Sequence, residues 1–394
     1  MTRQQKQKWE RWLLLVTFLL VVAAWGYGYL TAATNVLPLV PDVLPGAVQI
    51  ESRGQLYIGR DSAGELVGYA AVGQAPGYAG PIEMLVGVAP SGEILAAVVV
   101  AQRESPGFFR LVTRNDLVNR YAGRSIQAPL QLGDDLDAVS GATVSAEGVA
   151  AATRKAVREI AAEGLALTLP AEKKTLQFGI PEFTLLLLFA SGYVGHKLRS
   201  REWKRRLRWG TLLTGMVILG FIYTAPLTIT MIISLLSGYW PDLYSNLYWY
   251  LLIGGIIFVT TVDAKNPYCT WFCPFGAFQE CLAAISGAKA YRPSSLNEPL
   301  KWVQRGLSLT AILFGLALRR PGVAGYEPFD TLFDLQGTAV KWALLLLIVF
   351  TSLLIYRPFC NYLCPVDPVV DFIAATRRWL KETWSKWRVQ PSKA

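Results

Sequence analysis

Residues 137–145 read Asp-Ala-Val-Ser-Gly-Ala-Thr-Val-Ser, and 146–164 continue AEGVAAATRKAVREIAAEG. The second stretch reads as a helix. Val149, Ala152, Ala156, Val157 and Ile160 recur at three- and four-residue steps, and Gly164 supplies a stop. The small turn Ser140-Gly141-Ala142-Thr143 leads into it, with Ser145 just beyond. A helix N-terminus has unpaired N–H groups and a partial positive charge, so it favours a phosphate. A hydroxyl there is placed to carry a phosphate ester. On local physics alone, a Ser/Thr-capped helix after a glycine turn accounts for the same residues.

The pattern Asp137-x-x-Ser140-Gly141-Ala142-Thr143-x-Ser145 resembles the flavin-transferase target of extracytoplasmic FMN-binding domains, found in Na+-pumping and Rnf-type redox complexes and in NosR-type membrane proteins. Gly80-Pro81-Ile82-Glu83 and Glu104-Ser105-Pro106-Gly107-Phe108 resemble the same domain. The resemblance covers residues 47–165. It implies FMN joined through its phosphate to the Ser145 hydroxyl, where the family usually has Thr, and a flavin transferase as maturation partner. Between the two upstream segments, IEMLVGVAPSGEILAAVVVAQ reads as two strands around a Pro90-Ser91-Gly92 turn.

The rest of the chain is apolar. Of 394 residues 53% are hydrophobic, and the formal charge is +10. Apolar runs fall at 13–30, 179–195, 209–236, 247–263, 303–318 and 339–356. A bilayer core of ~30 Å needs about 20 apolar helical residues, so these runs predict about six spans. The expected fold is an α+β extracytoplasmic domain inserted after the first helix of a polytopic helical membrane protein. Its parts are an anchor helix (1–34), the FMN-binding domain (47–165), a membrane domain of about five spans (176–371) and a basic amphipathic cytoplasmic tail (372–394). Lys and Arg crowd before the first span, at 197–208, and after the last from Arg357 onward. Positive loops stay inside, which predicts cytoplasmic termini, an outer FMN domain and a chain seated in the cell membrane. The basic residues flank apolar runs, so the charge reads as topology and not as nucleic-acid binding. An uncleaved first helix is preferred to a signal peptide because Trp9, Trp12 and Trp25 anchor it. Aromatic residues of the tail, Phe372, Trp379, Trp384 and Trp387, together with Leu380, predict a helix lying on the inner leaflet.

Four of five cysteines form two copies of one pattern, Cys269-Thr-Trp-Phe-Cys273-Pro274 and Cys360-Asn-Tyr-Leu-Cys364-Pro365, each after an apolar run. C-x3-C-P closes the ferredoxin cluster-binding run. The proline turns the backbone and exposes N–H groups near a sulfur. A disulfide is disfavoured on a reducing face. Buried free thiols and four-thiolate zinc are the alternatives; the duplication favours a [4Fe–4S] or [2Fe–2S] cluster on all four, or separate clusters. Cys281 reads as a small buried residue. The only histidine, His196, cannot make a bis-histidine haem.

The C-terminal half also resembles NosR-type proteins and the related RdhC-type proteins. The C-terminal double ferredoxin run of NosR has no counterpart in the sequence, which places the resemblance nearer the shorter branch. The resemblance implies an electron-transfer flavoprotein more than an enzyme with its own small-molecule substrate. Electrons would pass between an iron–sulfur centre, fed by quinone or a cytoplasmic ferredoxin, and outer FMN that serves an extracytoplasmic reductase. A redox-sensing maturation or regulatory factor is the alternative. A gap of ~30 Å between membrane faces requires the cluster to sink into the bundle, the flavin domain to dock, or a quinone to bridge.

Overall fold

The computed structural model describes residues 2–31, 35–77, 80–104, 106–137, 143–170, 176, 178–244, 246–263, 266–288 and 297–388. The chain opens with α1 (Arg3–Thr31) and a single turn α2 (Val40–Val43). Strands β1 (Gln49–Arg53), β2 (Leu56–Arg60), β3 (Leu66–Pro76), β4 (Pro81–Val88) and β5 (Ile94–Gln102) follow. They form one antiparallel sheet in chain order, β1-β2-β3-β4-β5. The expected β4–β5 hairpin is present. Gly92 stands at φ +84°, a turn conformation costly for residues with a Cβ.

After α3 (Pro106–Arg114) comes α4 (Thr143–Glu159), which continues as a π-helical turn to Gly164. The predicted stripe is the buried one: Val149, Ala152, Ala156 and Ile160 are fully buried and pack with Ala71, Ala75, Met84 and Val86 of the sheet. Small residues set this spacing. A Cβ on Gly73 of β3 would lie 1.9 Å from the Ala152 carbonyl oxygen, so only glycine lets α4 lie this close. Val40 and Val43 of α2 cover the opposite sheet face together with Leu85 and Ala70.

The helical body contains α5 (Ile180–Lys197), α6 (Arg201–Thr214), α7 (Ile229–Leu236), α8 (Leu247–Asp263), α9 (Pro274–Ser286), α10 (Asn297–Ala317), α11 (Phe329–Phe333), α12 (Ala339–Leu354), α13 (Pro358–Tyr362) and α14 (Val366–Arg388). Its core joins Leu185, Leu188, Leu252, Trp271, Phe272, Phe275 and Phe359. The first helix belongs to this body: it packs along α10, and the Gly28 backbone approaches the Leu316 carbonyl so closely that a Cβ would lie 2.2 Å from it.

The span expectation changes in detail. Among the described residues one helix, Gln7–Thr31, is long and apolar enough to cross a membrane, while Leu247–Val262 and Ala339–Leu354 are apolar but shorter. The run 209–236 is not one span. It leaves α6 through a π-helical stretch (Gly215–Ile222), breaks, and restarts as α7. Pro226 lies in the break; it lacks an N–H and disfavours helix at the residue before it. The basic stretch at 197–208 is largely helical, since α6 begins at Arg201. The described part of the tail, 372–388, continues α14, which starts at Val366 and packs on α8, α10 and α1, with an Arg11–Glu382 ion pair of 2.7 Å.

Gly73→Ala is expected to destabilise the sheet domain by about 1–3 kcal/mol through overpacking, read as a lower melting temperature of the purified chain. Gly26→Ala, where an added Cβ meets nothing within 4 Å, serves as the control and should leave the melting temperature unchanged.

Candidate functional site

Two sites emerge, one in each part of the molecule. In the sheet domain, α4 begins at Thr143, inside the motif. Ser140, Gly141 and Ala142 lie outside the described residues, as do the side chains of Thr143 and Gly107's helical neighbours. Asp137 is exposed and pairs with Arg120 at 3.3 Å. Ser145 does not point to solvent. It is 1% exposed, and its hydroxyl donates to Glu104 Oε2 at 3.0 Å, with Glu104 itself 5% exposed. A phosphate ester at Ser145, the position the resemblance implies, would displace this buried hydrogen bond. The signal was in the sequence, because Ser145, Val149, Ala152 and Ala156 share one helical face. Gly107 lies in α3, on the chain just after Glu104.

In the body, both cysteine copies fold alike. Cys273 N–H donates to the Tyr268 carbonyl at 2.8 Å, and Cys364 N–H donates to the Phe359 carbonyl at 2.8 Å. Each bond spans five residues and closes the turn around its pair. The prolines act as expected. Pro274 opens α9, and the N–H groups of Phe275 and Gly276 face the Cys273 sulfur; the N–H of Asp367, in the first turn of α14, faces that of Cys364. All four thiols lie close enough to feel one another electrostatically. They sit in the apolar core, where Cys364 is buried and the other three are half-buried. Cys281 does not join them; its charged neighbours are Glu280 and Arg357.

The side chains that support these turns escaped sequence reading. Gln279 Nε2 donates to Cys360 Sγ at 3.1 Å while its Oε1 accepts the Phe359 N–H at 3.0 Å. Gln304 Nε2 donates to the carbonyls of Cys360 and Cys364 at 3.2 and 2.9 Å. Trp271, inside the first pair, donates to His196 Nε2 at 3.1 Å, so His196 braces a cysteine turn. Arg208 binds Glu280 through two contacts of 2.7 Å, and Arg357 binds it at 2.5 Å. Arg208 and Arg357 are thus partners of a buried carboxylate. They are not members of the positive loops in which charge counting placed them.

The donor set fits an iron–sulfur group. Four thiols converge with amide donors aimed at sulfur. Thiolate ligands with amide donors to sulfur are the chemistry of such clusters.

The two sites are linked. Pro321–Ala324 forms a short 3-10 turn after α10. A Cβ on Gly322 would lie 3.0 Å from the Glu104 carbonyl oxygen and 3.1 Å from that of Arg103. Arg103 lies over the Tyr239 ring at 5.1 Å, and Arg319 covers the same ring at 4.9 Å and donates to its hydroxyl at 2.6 Å. Four residues past Gly322, the Tyr326 hydroxyl donates to the Leu363 carbonyl at 2.8 Å, beside Cys364.

A family model described as an FMN-binding domain matches residues 77–158. One described as a 4Fe-4S binding domain matches residues 245–293 and 342–386, one cysteine copy in each. Regulatory protein NosR of Pseudomonas aeruginosa is 29% identical over 235 residues, covering 53% of this chain and 32% of NosR. The two are alike over about half of this chain. Protein NirI of Paracoccus denitrificans is 29% identical over 196 residues, 46% of this chain and 28% of NirI. A component of the ion-translocating oxidoreductase complex of Pseudomonas aeruginosa is 30% identical over 143 residues, 34% of this chain and 66% of that component. The chain spans about a third of the length of NosR and NirI. The two matched domains support FMN and an iron–sulfur cluster as its cofactors.

Cys273→Ala or Cys364→Ala should remove bound iron and its visible absorbance, measured by metal analysis of purified protein. Full iron content in both variants would assign the thiols a structural role only.

Proposed function

We propose that this chain conducts electrons across the cell membrane between a cluster held by Cys269, Cys273, Cys360 and Cys364 and an FMN held at the start of α4, for use by a redox enzyme outside. The cluster supplies one-electron transfer, and the flavin exchanges one or two electrons. The protein sets their positions and surroundings.

The observation that carries this reading is the strand of chain from Gly322 to Tyr326. It touches Glu104 of the FMN-binding domain at one end and the second cysteine turn at the other. Residues four apart are separated by at most roughly 14 Å, against ~30 Å for a hydrocarbon core. On this reading, docking of the domain and burial of the thiols shorten the path together. Exposed Phe183, Leu187, Phe258, Phe314, Leu346, Phe350 and Leu354 on the body helices suit lipid contact and would be a liability in water. They support a multi-pass body, with the flavin domain outside and both termini in the cytoplasm. Quinone or ferredoxin then serves as donor to the cysteine site.

Burial of Ser145 favours Thr143, the first residue of α4, as the hydroxyl that a flavin transferase esterifies. Ser145 then belongs to the wall of the site, holding Glu104. A covalent FMN in Thr143→Ala, seen as a fluorescent band on a denaturing gel, would overturn this assignment. Ser145→Ala should keep the fluorescent band and lower domain stability by about 1–3 kcal/mol, since the buried Glu104 carboxylate loses a donor.

The conduit itself is tested by rapid mixing with a reductant that feeds the cysteine site. Gly322→Val, which pushes on the Arg103 and Glu104 carbonyls, should slow flavin reduction at least tenfold while iron and flavin contents stay normal. An unchanged rate would refute the short path. The likeness to NosR, a regulatory protein, favours a second reading in which the chain senses redox state. Flavin that turns over far more slowly than the partner enzyme would select that reading.

A further inference from the structure

We infer that Arg357 is a positioning residue for the cysteine site that supplies the positive charge against which the site takes up an electron, and so sets its potential. The inference rests on the cluster reading given above. Arg357 follows the break after α12 and is 9% exposed. It adopts a left-handed backbone, φ +50° and ψ 55°, which is strained for a residue with a side chain.

Its guanidinium is spent in three directions. Nη2 donates to Glu280 and Nη1 donates to the Cys269 carbonyl at 3.0 Å. Nε is buried and has no partner. A buried, charged N–H without an acceptor costs free energy. Its acceptor must be something that the protein atoms do not supply. The neighbourhood says what: Cys360 is the foremost charge partner of Arg357, with Glu280, Tyr356 and Cys273 also close. Gly276 leaves room for the approach. A Cβ there would lie 3.5 Å from Arg357 Nη1 and 3.6 Å from the Cys273 Cβ. Sulfur bound to iron is an electron-rich acceptor of the kind this geometry calls for.

A purely structural role, tying the second cysteine turn to α9, explains the Glu280 contact. It does not explain the orphaned Nε, nor why two cations surround one anion. Arg208 and Arg357 against Glu280 leave this trio with one net positive charge on the Cys273 and Cys360 side, while Asp367 is the anion that faces Cys269, Cys360 and Cys364. Each electron taken up adds one negative charge to that site, and in a buried setting the neighbouring cation is little screened. Hydrogen bonds to sulfur and local charge are the recognised levers on cluster potential. Gln279, donating to Cys360 Sγ, acts in the same direction.

The test uses the full chain, purified with its cluster, with iron and sulfide counted and the midpoint potential read by a redox titration followed by electron paramagnetic resonance. Arg357→Gln should keep iron and shift the midpoint to lower potential. Arg357→Lys, which keeps the charge, should lie near wild type. Glu280→Gln, which removes the anion between the two arginines, should shift the midpoint the opposite way. Unchanged potentials in Arg357→Gln and Glu280→Gln, with iron retained, overturn the inference while leaving the cluster reading intact. If Arg357→Gln fails to hold iron, the Glu280→Gln titration decides. Wild-type protein with no iron overturns the cluster reading, and the inference with it.

Discussion

A carboxylate buried among helices must be answered, and in this body Glu280 is answered from two sides. Arg208 comes from α6 and Arg357 from the turn between α12 and α13, while Glu280 itself belongs to α9. The three side chains therefore pin the second cysteine turn to the helix that the first cysteine turn begins. Breaking one member of such a set leaves an uncompensated charge, commonly a loss of about 3–5 kcal/mol. Distance in sequence is what makes the constraint effective: 208, 280 and 357 sit on separate segments, and satisfying all three brings both cysteine copies to one place.

Around this point the apolar core is aromatic. Phe275 meets Phe329 and Phe359 at centroid distances of 4.8 and 5.1 Å, and Phe272 meets Phe189 and Tyr268 at 4.9 and 5.4 Å, most of them edge to face. Such pairs hold orientation as well as fill volume. The rings flank the cysteine turns in both copies, so the thiols are set in a stiff and largely dry wall. Tyr268 shows how far this reaches: its hydroxyl accepts the N–H of Leu227, at the break before α7. The interruption of the expected long span is thus used, since it presents backbone to the site.

What was legible in the sequence was local. The α4 stripe, the β4–β5 turn at Gly92 and the duplicated cysteine turn depend on neighbours within a few residues, and the structure shows each of them. Charge was less readable. Arg208 and Arg357 look like loop cations by position, and only the distant Glu280 changes their meaning. Pro226 is a visible stop inside the run 209–236, but the apolar residues on both sides of it read together as one span. Ser145 shows that motif and pattern can point different ways. The motif marked its hydroxyl for chemistry, while the helical spacing through Val149 and Ala152 put it on the buried face. The contact of Gly322 with Glu104 had no local signature, because it joins residues from different parts of the chain.

The sheet runs in chain order, each strand hydrogen-bonded to the next, and every strand is in place before α4 is reached. The helix α4 is the last large piece of the domain in chain order, and it lies on a sheet whose five strands all precede it. Each strand can find its partner from the next segment along the chain, whereas α4 must reach back across the whole sheet to Gly73 and Ala71. The contact that closes the domain is thus its most non-local one, the kind whose loop-closure cost weighs most on the rate of folding.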